Sequence, residues 1–187
     1  MSNSLPNPSA HSLESQLAKL RELGIHGVDS DADMILRLTK YVGAAYYEQQ
    51  PYLRLLAELG HELSPNVWTF DVECVESADV YENAISKMIA LAEGRIEIGS
   101  LQGKFDPAED WTRIDLVHAG QSHELNAAHN GDWFDMDVLG RVERIVRMED
   151  WEFLHRWEDQ TVTLVFIDRA ASKELIRLTD KQFGPLI

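Results

Sequence analysis

Apolar positions recur at helical spacing through the first sixty residues. Ser12 is placed as an N-cap, and Leu13, Leu17, Leu20 and Leu23 follow at intervals of three or four before Gly24 stops the run. Ser30, with Asp33 three positions on, opens a second helix whose apolar residues include Ile35, Leu38, Tyr41, Val42 and Ala45. Pro51 starts a third, running through Leu53, Leu56 and Leu59 to Gly60. Residues 12–60 are therefore predicted as a helical subregion in which Tyr46, Tyr47 and Tyr52 pack between helices. The polar residues 1–11, with two prolines, read as a disordered lead-in.

The period then changes from helical to alternating. Trp68, Phe70, Val72 and Cys74 alternate with Thr69, Asp71 and Glu73, which predicts a strand with one buried and one wet face. Asp79 and Glu82 open a helix carrying Ala84, Ile85, Met88, Ile89 and Ala92, closed by Gly94. Residues 95–98 are expected as a short strand and 99–110 as a polar loop. Residues 111–118 and 122–129 form a hairpin pair. Gly120 suits the first central position of a type II′ turn, which sets His118 opposite His123. That register turns Ile114, Leu116, Leu125 and Ala127 to one face and Arg113, Asp115, Glu124 and Asn126 to the other. Asn130, Gly131 and Asp132 make a turn, and Asp135 or Asp137 caps a helix with Val138, Leu139, Val142, Ile145 and Val146. The β-branched run 161–167 is expected to be the most buried strand, and 170–178 a final helix.

Segregated helices and strands with one hairpin predict an α+β fold. The expected architecture is a mainly antiparallel sheet of four to six strands, covered by helices on one face. Residues 12–187 would form a single domain, with the sheet-containing core in 65–187. The wet face would display Asp71, Glu73, Arg113, Asp115 and Glu124.

Charge sharpens this picture. The 187 residues are 44% hydrophobic and carry a formal charge of −15. Between positions 58 and 137 stand seventeen acidic and four basic residues, a net charge of −13. Such a balance opposes binding to nucleic acid or to an anionic membrane, both of which need a basic surface. It suits either solubility, which excess Asp and Glu promote, or a surface shaped for a basic protein partner. A single cysteine, Cys74, leaves no disulfide framework and no cysteine-rich zinc site. Without a basic, then apolar, leader or an apolar run of about 18 residues, the chain is expected to be cytoplasmic.

No residue pattern dictates a reaction. His118, His123 and His129, with Asp132 nearby, are the best metal candidates, but the register leaves His129 about 20 Å from the other two. They read as ordinary strand-end histidines. Asp71 and Glu73 stand two apart, close enough to act as an acid/base pair or to hold a hard cation. A metal-assisted hydrolase using this pair and a histidine is therefore the alternative reading. A nuclease of the Asp…Glu-x-Lys type needs a lysine where Val75 stands. G-x-S-x-G, G-x-G-x-x-G and P-loop patterns are lacking, and Cys74 falls on the apolar strand face. No cofactor is expected. The segment Gly131-Asp132-Trp133-Phe134-Asp135 joins a turn, two aromatics and two acids; its rings either plug the core or present an anchor with an acidic rim.

The alternation in WTFDVEC, the capped stretch DVYENAISKMIALAEG, the GDWFD turn and the ending LTDKQFGPLI resemble small acidic α+β immunity proteins. These are encoded beside toxins in bacterial polymorphic-toxin and contact-dependent systems. The resemblance covers roughly residues 65–187 and implies a non-catalytic inhibitor that binds its cognate toxin, a basic protein such as a nuclease, and blocks the active site. The contacts expected on this reading are Asp71, Glu73, Asp115, Glu124, Asp132 and Trp133. A second alternative is an acidic nucleic-acid mimic or interaction domain.

Overall fold

A computed structural model describes residues 11–73, 75, 77, 79–105, 111–128 and 130–186. Cys74, His129, most of the lead-in and the end of the expected loop at 99–110 lie outside them. Four helices open the chain: α1 (Leu13–Glu22), α2 (Asp31–Thr39), α3 (Ala44–Glu48) and α4 (Leu53–Leu59). There follow β1 (Val67–Asp71), α5 (Asp79–Ala90), β2 (Ser100–Phe105), β3 (Trp111–His118), β4 (Gln121–Ala128) and α6 (Asp137–Ile145). The chain ends with β5 (Trp151–Glu158), β6 (Thr161–Asp168), α7 (Arg169–Leu178) and β7 (Gly184–Pro185).

Local chemistry sets several of these boundaries. Ser12 Oγ accepts the Ser15 N–H at 3.2 Å and Ser30 Oγ the Asp33 N–H at 3.3 Å, each satisfying an orphan donor of a first turn. Asp168 does the same for α7, accepting from Ala170 at 2.7 Å. Gly24 and Gly94, at φ of 83° and 82°, take the left-handed conformation just past α1 and α5. The second expected helix stops early: α2 ends at Thr39, leaving Tyr41 85% exposed and Ala45 in a separate short helix. Tyr47 and Tyr52 are buried between helices as the spacing implies, whereas Tyr46 is exposed beneath the Arg54 guanidinium.

The fold is α+β, but the strands form two antiparallel sheets rather than one. The larger has the order β1-β6-β5-β7 and the smaller β2-β3-β4. The larger is also covered on both faces, not one. Val162, Leu164 and Phe166 of β6 join a core with α5, α6 and the small sheet, while Val165 and Ile167 join a second core with α1, α2, α4 and α7. A strand buried on both sides loses its alternation, which is why 161–167 reads as a continuous β-branched run. The double cover also removes Thr69 from the wet face expected for β1, while Asp71 and Glu73 are exposed as expected. Thr69 is buried; its hydroxyl donates to Ala57 O at 2.9 Å and meets Thr163 Oγ1 at 2.9 Å.

Three local corrections follow. Residues 95–98 form no strand, and β2 occupies part of the expected loop, pairing its edge with β3. Ala119 and Gly120 both have positive φ, 49° and 76°, so the hairpin closes on a type I′ turn, not II′. His118 therefore lies opposite Gln121, and His123 opposite Leu116. A shift of two positions preserves the faces, so Ile114, Leu116, Leu125 and Ala127 are buried as expected.

Glu143 of α6 is 5% exposed and packs against β5. Its Oε1 accepts the Phe153 N–H at 3.2 Å; Oε2 meets no donor among the described residues. Burial pushes the carboxyl above the usual carboxylate range, the Phe153 N–H pulls it partly back, Glu152 adds to the rise, and Arg169 and Arg147 oppose it. A folded-state pKa above the unfolded one means the charge costs stability at neutral pH. That cost disappears as pH falls through the folded value to the unfolded one. Glu143→Gln is expected to raise stability by about 1 kcal/mol at pH 7 and to change it little near pH 4, as read by urea titration at both.

Candidate functional site

Beyond Asp71, β1 gives way to a two-sided clasp. Val72 N–H donates to Gln160 O at 2.8 Å, the Phe134 N–H to Val72 O at 2.7 Å, and the Val75 N–H to Asp132 O at 2.8 Å. Glu73 consequently lies opposite Trp133. Gly131, at φ 69°, makes the turn that brings residues 132–134 back against this segment.

The two aromatics of that turn separate. Phe134 is buried, with its ring 4.6 Å from Tyr81 and 5.7 Å from Phe70. The Tyr81 hydroxyl accepts the Asp135 N–H at 3.1 Å. Trp133, whose backbone pairs with Glu73 and Asn130, is 39% exposed. The ring that plugs the core is Phe134, and its neighbour Trp133 is the exposed one. Asp135 is structural: Oδ2 accepts from Ala128 N at 2.9 Å and faces Arg141 at 3.3 Å, while Oδ1 accepts from Asp137 N at 3.1 Å.

Asp71 and Glu73 have polar partners but, among the described residues, no cation. Asp71 Oδ1 accepts the Glu73 N–H at 2.8 Å, and Glu73 accepts from the Gln160 side-chain amide. Among the described residues neither of these carboxylates nor Asp132 forms a salt bridge. Three carboxylates without a salt bridge thus belong to the segments that the clasp joins, and the exposed Trp133 lies opposite one of them, Glu73. Gln160 was not legible as part of this arrangement, because it reaches Glu73 only through the β5–β6 turn.

Asp115 and Glu124 belong to the other sheet and to another electrostatic setting. Arg113 reaches Asp115 at 2.9 Å and Glu124 at 2.8 Å, and Lys104 reaches Asp115 at 3.1 Å. The hydrogen bonds from Arg113 and then Lys104 hold the Asp115 carboxyl below the usual range. Two cations against two carboxylates leave this face locally neutral. The five charged residues expected on one wet face thus divide between two sheets.

Among the described residues no three or more His, Cys, Asp or Glu side chains are placed to hold a metal. The His118 ring Nδ1 lies 2.9 Å from Glu97 O. An open cleft lined by Trp111, Asn126, Ala128, Asp135, Arg141 and Arg144 runs between the end of the hairpin and α6. No helix among the described residues is long and apolar enough to cross a membrane.

No protein-family model, curated protein or solved structure matches the chain.

Proposed function

We propose that the chain is a non-catalytic, immunity-type inhibitor that binds a basic bacterial toxin in the cytoplasm and occludes its active site. The observation that carries this reading is the exposed Trp133, opposite Glu73 and next to Asp132 in the chain, with Asp71 hydrogen-bonded to the Glu73 backbone, three acids that form no salt bridge among the described residues. Binding energy at protein interfaces concentrates in such aromatics, and unpaired carboxylates of one sign steer a basic partner toward them. A nuclease cleft, built to hold phosphate, has the complementary charge. Asp115 and Glu124, already ion-paired with Arg113 and Lys104, contribute less to that steering than the three unpaired acids.

The experiment is co-expression with the product of the adjacent reading frame. The reading expects the two proteins to co-purify as a stable complex and this chain to rescue growth that the other protein arrests. Arrest without rescue, or two products that elute separately, would refute it.

A further inference from the structure

We infer that the outer edge of β4 is a docking strand for an extended segment of the basic partner. This rests on the reading of the chain as a partner-binding inhibitor and adds how the partner's backbone is held. The two-residue turn at Ala119 and Gly120 makes His118 and Gln121 a hydrogen-bonded pair. Gln121, His123, Leu125 and Ala127 therefore bond inward to β3, and Ser122, Glu124, Asn126 and Ala128 present their N–H and C=O groups outward. The last of these shows the direction directly, since the Ala128 N–H leaves the sheet to meet Asp135 Oδ2. Among the described residues, no partner is found for the outward backbone groups of Ser122, Glu124 and Asn126.

The other sheet edges are treated differently. On β1 the outward Thr69 N–H donates to Gly60 O at 3.0 Å. On β2 the Gly103 N–H meets Glu82 Oε1 at 2.5 Å, where α5 lies alongside. β7 is two residues long, and one is Pro185, which has no N–H. Proteins normally guard their edges in just these ways, because an open row of donors and acceptors templates another strand. On β4, among the described residues, the row is guarded at Ala128 and stays open over residues 122–126.

The row repeats every second residue, about 7 Å, a spacing that another extended peptide matches. Side-by-side pairing with a second copy would oppose two chains of charge −15. A segment from a basic protein has the opposite sign. Its lysine or arginine beside Glu124 would add to a site where Arg113 is already shared with Asp115. At the Asn126 end, the cleft holding Trp111, Arg141 and Arg144 gives the segment room to continue toward α6.

The test uses the full chain and a probe independent of the toxin, the capped peptide (Lys-Thr)4, which is basic and extended. Titrated into isotope-labelled protein, it is expected to shift and protect the amides of Ser122, Glu124 and Asn126. Asn126→Pro removes an outward N–H while leaving the inward ladder to β3, and is expected to weaken binding about tenfold. Glu124→Gln, which keeps the donor, should preserve the same amide pattern. Shifts centred on residues 71, 73 and 132, or unchanged affinity of Asn126→Pro, would overturn the inference, as would a dimer that this variant dissociates. Failure of co-purification with a positive peptide result would sink the inhibitor reading alone. A stable complex whose affinity ignores Asn126→Pro would sink only the edge.

Discussion

Gly60→Ala is expected to destabilise the fold by about 3 kcal/mol, lowering the melting temperature by about 10 °C. Gly60 follows α4 and is the residue against which β1 lies: its carbonyl accepts the Thr69 N–H at 3.0 Å. A methyl group there would sit 2.1 Å from Thr69 Oγ1 and 2.5 Å from Thr69 N. The second neighbour is backbone, and the first is fixed by Ala57 O and Thr163 Oγ1, so neither yields by rotation. Relief requires prising the helical layer from the sheet. Gly184→Ala, whose Cβ meets nothing within 4 Å, should change stability by less than about 0.5 kcal/mol. Calorimetry of the pair checks both; equal melting temperatures would show that α4 and β1 are not in this contact.

Trp133→Ala is expected to weaken the partner complex about a hundredfold while leaving folding stability within about 1 kcal/mol of the parent. The asymmetry follows from the clasp, in which Trp133 is positioned by backbone pairing to Glu73 and its exposed ring is free to bury on a partner. Its neighbour reverses the pattern. Phe134→Ala removes a ring packed on Tyr81 and Phe70 and should cost about 3 kcal/mol of stability. Isothermal titration and denaturant unfolding of both variants separate the two roles. Undiminished affinity in Trp133→Ala would remove the indole from the interface.

What the sequence disclosed depended on whether a signal was local. Caps at Ser12 and Ser30, and the buried face of the hairpin, follow from side chains acting on their own or adjacent turns, and all were legible. β5 was not, because its polar residues are satisfied far along the chain. Glu152 is bonded by Arg169 at 2.8 Å and Ser172 at 2.5 Å, and Arg156 by Gln182 at 3.2 Å. Read alone, WEFLHRWE lacks alternation. The division into two sheets was hidden for a related reason: nothing in 100–105 or 111–128 records that these strands pair only among themselves. In the candidate site the acid-rimmed turn was visible as composition. Its opposition to Glu73, and the internal neutralisation of Asp115 and Glu124, arise from pairings that only the folded chain creates.

The most direct measurement is the rate of association with the adjacent-frame product, followed by stopped-flow from low to high salt, for the parent and for Asp71→Lys/Glu73→Lys/Asp132→Lys. The parent is expected to associate quickly at low salt and to slow steeply as salt rises. The triple reversal should be slower by tenfold or more and nearly flat in salt. Superimposable rates for the two proteins across the salt range would contradict docking through the carboxylates around Trp133.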